Sequence, residues 1–141
     1  MNFNEMLRNC WEEAKRYEIG SYLYVAESPA SLKSQQCVFY GRNNTSIIVV
    51  CDSEGKTVLK EVDMPYMDCL PIRHPAKISQ EESLQYLYDA GHRDDWKSVT
   101  FRKPLGPEPY NPLYIYTYEK ESGVVSYWAV DSTNGNVMEL F

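Results

Sequence analysis

Four short stretches of this chain carry residue types that could do chemistry. Gly55-Lys56-Thr57 has the closing residues of a phosphate-binding loop. A complete loop of that kind needs another Gly five positions earlier, where Val50 stands, and a helix N-terminus to hold the phosphate. Thr57-Val58-Leu59 follows instead, so the triplet reads as a hairpin turn. His92-Arg93-Asp94 copies the catalytic triplet of protein kinases, but 141 residues are too few for a kinase and the companion motifs are absent. Asp94 and Asp95 are adjacent carboxylates whose side chains diverge, with no metal-ligand spacing around them. Cys69 and His74 could pair as thiol and imidazole only if the loop around Pro71 folded them together, and no third group is spaced to orient the imidazole. These residues imply no catalytic site, no metal and no cofactor.

Cysteine and tyrosine hold the remaining chemistry. Cys10, Cys37, Cys51 and Cys69 include no C-x-x-C pair, which leaves out a zinc ribbon and a thioredoxin-type motif. Cys10, Cys37 and Cys51 fall at apolar-phased positions, as small buried hydrophobes do, so four reduced thiols are expected. Tyrosine supplies 12 of 141 residues, enough to form a surface of its own. Over residues 113–118, Tyr114, Tyr116 and Tyr118 point one way and Leu113 and Ile115 the other, because strand side chains alternate. With a hairpin loop at residues 119–123, Tyr127 is expected to join the tyrosine side and Trp128 the aliphatic side. Tyr114, Tyr116, Tyr118 and Tyr127 then predict an aromatic partner-binding face, edged by the proline-rich loop 104–112. The nearby Glu108, Glu119 and Glu121 favour a basic partner.

The elements that must position these residues belong to one ordinary domain. A chain of 16.4 kDa has enough core to stand without disulfides. At 43% hydrophobic and 24% charged residues it has globular composition, not that of a disordered chain. The net charge of −6 and the lack of a basic stripe argue against nucleic-acid binding. No apolar run approaches the ~20 residues of a bilayer span, so no membrane insertion is expected. The opening residues Met1-Asn2-Phe3-Asn4-Glu5 lack a basic n-region and an apolar h-region, which predicts a cytoplasmic location, or an extracellular one if a leader was removed.

Phe3, Met6, Leu7, Cys10, Trp11, Ala14 and Tyr17 follow helical spacing, and Asn2 with Glu5 supplies a capping box. Residues 21–62 switch to period two, with strands near 22–26, 36–40, 46–51 and 57–62. Residues 63–77 hold Pro65, Pro71 and Pro75 and read as a linker. Ser79 with Glu82 caps a second helix, with Leu84, Leu87 and Tyr88 as its stripe and Gly91 as its stop. Strands follow near 97–102, 113–118, 124–130 and 136–140. The turn after Val50-Cys51-Asp52-Ser53 resembles that after Ala129-Val130-Asp131-Ser132, which is compatible with an internal repeat.

Ile78-Ser79-Gln80-Glu81-Glu82-Ser83-Leu84, Gly91, Trp96-Lys97-Ser98-Val99-Thr100-Phe101 and the closing Tyr127 to Val137 stretch carry a family likeness. Residues 78–140 resemble a PepSY-type domain, whose pattern is a short helix and an antiparallel sheet ending in a V-D-x-x-x-G-x-V hairpin. The resemblance implies that fold, and protein binding such as protease inhibition. If residues 1–62 are a diverged second copy, the tandem would resemble the β-lactamase-inhibitor proteins.

The expected fold is therefore α+β: two successive helix-then-antiparallel-strands units, 1–62 and 78–141, with helices on one face of the sheet. The expected core is Met6, Leu7, Trp11, Ile48, Val50, Leu84, Leu87, Val99, Phe101, Ile115, Trp128 and Val130. The expected function is a non-catalytic protein-binding domain with a protein partner. A small-ligand sensor with a tyrosine-lined pocket, or an enzyme with an unrecognised site, are the other classes the residues allow.

Overall fold

A computed structural model describes residues 1–106 and 109–140. The apolar N-terminal stripe becomes helix α1 (Phe3–Tyr17). Its capping box is complete: Asn2 Oδ1 accepts from the Glu5 N–H at 2.8 Å, and Glu5 Oε1 accepts from the Asn2 N–H at 3.0 Å. Helix α2 (Gln80–Asp89) starts the same way, with Ser79 Oγ and the Glu82 carboxylate exchanging bonds with each other's backbone N–H, both at 3.1 Å. Each box satisfies two backbone donors that a helix start otherwise leaves free.

The strands are β1 (Leu23–Pro29), β2 (Ser34–Tyr40), β3 (Ser46–Asp52), β4 (Thr57–Val62), β5 (Cys69–Leu70), β6 (Ser98–Pro104), β7 (Leu113–Glu119), β8 (Val125–Asp131) and β9 (Val137–Leu140). They form one antiparallel sheet in the order β4-β3-β2-β1-β6-β7-β8-β9, with β5 paired to the end of β6. The α+β class holds, but the expected pair of successive helix-then-strands units is corrected. Val25 to Pro29 of β1 pairs with Ser98 to Arg102 of β6, so strands from either side of α2 are neighbours in a single nine-stranded sheet. That pairing removes two edges whose backbone groups would otherwise stay open. The proline-rich segment is stitched to the sheet as well. Besides β5, Ile72 exchanges two backbone hydrogen bonds with Leu23, at 2.7 and 2.9 Å.

Both helices pack on one face. The main core joins Phe3, Met6, Cys10 and Trp11 of α1, Leu87 of α2, and inward residues of β1, β2, β3, β6, β7 and β8. Alternation sends Leu113 and Ile115 to the far face, where they form a second cluster with Ala129 and Leu140. The expected core therefore needs correcting. Ile48 and Val50 face away from the helices, and Val50 is 40% exposed, because Ile47, Val49 and Cys51 take the inward phase of β3. Ile115 belongs to the far cluster, while Leu84 and Trp128 are half-buried at the margin of the main one. Among the described residues, no helix is long and apolar enough to cross a membrane.

Candidate functional site

The expected docking face of Tyr114, Tyr116, Tyr118 and Tyr127 is not an open surface. Tyr114 and Tyr116 are 0% exposed and Tyr118 7%. Their alternation is as expected, but the side they share is the one the helices cover. The Tyr114 hydroxyl donates to the Ile78 carbonyl at 2.7 Å and accepts from Asn4 Nδ2 at 3.1 Å. The Tyr116 hydroxyl accepts from Gln80 Nε2 at 3.2 Å and meets the Ser83 hydroxyl. Tyr118 donates to the His92 carbonyl at 3.2 Å. Tyr114 to Tyr118 spans about 13–14 Å of strand, against about 15 Å for a ten-residue helix. The three phenols thus hold the start, first turn and far end of α2 to the sheet. Burial pushes the Tyr114 phenol up to about 12, and the Tyr118 phenol to about 12 with help from Tyr88 and Asp94.

Tyr127 sits on the other side. The β7–β8 register pairs it with Thr117 and pairs Trp128 with Tyr116. Lys120 N donates to Val124 O at 2.9 Å and closes the turn so that Glu119 faces Val125, which fixes this parity. Tyr127 packs against the Leu113–Ile115 cluster, and Trp128 joins the helix face, the reverse of the expectation. Glu108 and Pro107 of the proline-rich loop lie outside the described residues.

The other chemistry-bearing stretches resolve locally. Asp52 Oδ1 accepts from the Glu54 and Lys56 N–H groups at 2.9 and 3.0 Å, and Gly55 turns at φ +91°. Gly55-Lys56-Thr57 is thus the expected hairpin turn, with the Gly55 and Lys56 N–H groups both taken by Asp52. All four cysteines are free and buried. Burial, with Cys10 beside it, raises the Cys37 thiol well above its usual value, and burial pushes Cys51 to about 11. Burial also raises Cys69 against the opposing pull of Arg102, so this thiol is held protonated. His74 lies exposed in the segment beyond Ile72.

A polar cleft of about 830 Å³ opens past the end of α2. Its floor is Tyr118 and Ser126 with Trp128, whose ring stacks on His92 at 3.6 Å between centroids. The carboxylates of Asp94, Asp95, Glu119, Glu121 and Glu139 surround it, with Lys97 and Lys120. Five acids against two lysines leave an excess of three negative charges. Among the described residues the ion pairs are Arg16–Glu13 and Arg42–Glu18, so no cleft charge is neutralised by one. Glu119 and Glu121 were visible in the sequence beside the tyrosine strand. The His92–Trp128 stack was not, because it joins residues 36 positions apart through the register of β8. The chain matches no family model, and no curated protein or solved structure matches it.

Proposed function

We propose that this chain is a non-catalytic protein-binding domain whose partner presents a basic segment to the cleft past α2. The observation that carries this reading is the set of unpaired carboxylates around an aromatic floor. A Lys or Arg side chain entering there meets negative charge at the rim and packs its apolar stem against the stacked His92–Trp128 pair below. The floor is held by the Tyr118 hydrogen bond and the ring stack, so little ordering is lost on binding. The protein-binding role implied by the PepSY-like resemblance of residues 78–140 points the same way.

The test is titration with a synthetic Arg/Lys-rich peptide and with its Asp/Glu-rich counterpart. The basic peptide should bind saturably and weaken as salt is raised. Glu119→Lys combined with Glu139→Lys should weaken it by at least about tenfold, since both charges then repel the ligand. Equal binding of the two peptides, or indifference to the charge reversal, would exclude this cleft as the docking site.

A further inference from the structure

We infer that a groove along α1, sharing no residue with the acidic cleft, binds a small amphipathic carboxylate: an alkyl or aryl acid. The groove measures about 390 Å³ and lies between one stripe of α1 and the Pro75–Ser79 segment that leads into α2. The stripe runs from Asn4 to Lys15, about 16 Å at the rise of a helix. That volume falls in the range of small-molecule sites, and the length suits one alkyl chain or a ring with a short tail.

Its lining is apolar below and cationic above. Pro75 and Ala76 supply the open apolar surface, and the edges of Leu7 and Trp11, 4% and 7% exposed, close it beneath. The Trp11 indole N–H donates to the Ser21 carbonyl at 3.2 Å, so the ring's one polar atom is satisfied away from any ligand. Arg8, Lys15 and Lys77 stand exposed around this surface, with the Lys15 ammonium 5.6 Å from the centre of the Trp11 ring. None of the three belongs to an ion pair among the described residues.

Two of the groove's other polar side chains, Asn4 and Glu82, are engaged. Asn4 donates to the Tyr114 hydroxyl and accepts from the Gln80 N–H at 2.8 Å. The Glu82 carboxylate is tied to the Ser79 N–H in the capping box. Glu12 and Glu82 are the two lining carboxylates, against three cations, which leaves an excess of one positive charge. In a chain of net charge −6, this is a local positive excess over an apolar floor. A carboxylate with an apolar body answers both features at once. An alcohol answers only the floor, and an amine is repelled.

The experiment titrates the full-length, nitrogen-15-labelled chain with octanoate, octanol and octylamine, following the Trp11 indole N–H signal. Octanoate should shift that signal saturably, and octanol should bind roughly tenfold more weakly or worse. Arg8→Glu with Lys77→Glu should weaken octanoate by a similar factor and leave octanol unchanged, at an unaltered melting midpoint. If that double variant melts early, Lys15→Gln is the substitute, with a smaller loss expected for octanoate alone. Equal affinity for octanoate and octanol overturns the inference, as does an octanoate shift that maps away from α1. Binding of an acidic amphipathic peptide at this groove without octanoate binding also overturns it, in favour of a protein segment.

Discussion

Replacing Tyr116 by Phe should cost about 2–4 kcal/mol of folding stability. The ring keeps its place between α2 and the sheet, edge-on to Trp96 at 5.1 Å, so packing is nearly conserved. What is lost is the hydroxyl. Gln80 Nε2 loses its acceptor at 3.2 Å, while Ser83 Oγ keeps its bond to the Gln80 carbonyl at 2.7 Å. Gln80 is fully buried, and its Oε1 already lacks a partner among the described residues. The substitution therefore removes one or more hydrogen bonds, each worth about 1 kcal/mol, and strands a buried amide at about 1–3 kcal/mol. Urea denaturation of the two proteins measures the difference. Gln80→Met added to Tyr116→Phe should recover part of the loss, because removing both partners leaves no orphan. A loss below about 0.5 kcal/mol, within the range of ordinary surface changes, would mean that the hydroxyl is wet and that the tyrosines do not anchor α2.

Alkali should destabilise the fold through the same strand. Tyrosines ordinarily titrate near 10, whereas Tyr114 and Tyr118 are raised to about 12 in the folded chain. Their contribution is intact below pH 10 and is lost between about 10 and 12, where the unfolded chain ionises first. Denaturation midpoints measured across that window should be flat and then fall; a midpoint that stays level to pH 12 would contradict the burial. Alkylation of the native chain followed by mass spectrometry should leave all four cysteines largely unmodified, since the thiols of Cys37, Cys51 and Cys69 are raised and buried. Rapid modification of Cys51 or Cys69 at neutral pH would show the reverse. Gly135→Ala should cost about 1 kcal/mol or more, because Gly135 turns at φ +79° and a Cβ there would meet the Tyr86 ring at 2.6 Å. An unchanged melting midpoint would mean that the turn relaxes freely.

Local chemistry was legible in the residues wherever the structure is decided locally. Both capping boxes, the Asp52 turn and the outlines of the helices follow from side chains a few positions apart. The pairing of β1 with β6 does not, because nothing in either strand's own pattern names its neighbour. The phase of β3 was hidden by Ile47-Ile48-Val49-Val50, four aliphatic residues whose two faces look alike. The sequence pattern puts the tyrosine face on the wrong side of the sheet for a related reason. A hydroxyl-bearing face suggested solvent, yet α2 turns Gln80, Ser83 and Leu87 inward, and two of these three are polar. Their spacing of three and four residues was present in the sequence, and a polar inner stripe needs hydroxyl partners from the strand beneath it. The acidic cleft was half visible, in Glu119 and Glu121. Its Trp128 and His92 floor depended on a hairpin register that the turn residues left open.

We propose that the cleft past α2 receives a basic segment. Chemical-shift mapping of the labelled full chain during titration with the Arg/Lys-rich peptide tests it most directly. The signals of His92, Trp128, Tyr118 and Glu139 should move together along one saturable curve, and the movement should shrink as salt is raised. Shifts confined to another face, or scattered over all the acidic surface without saturation, would contradict it.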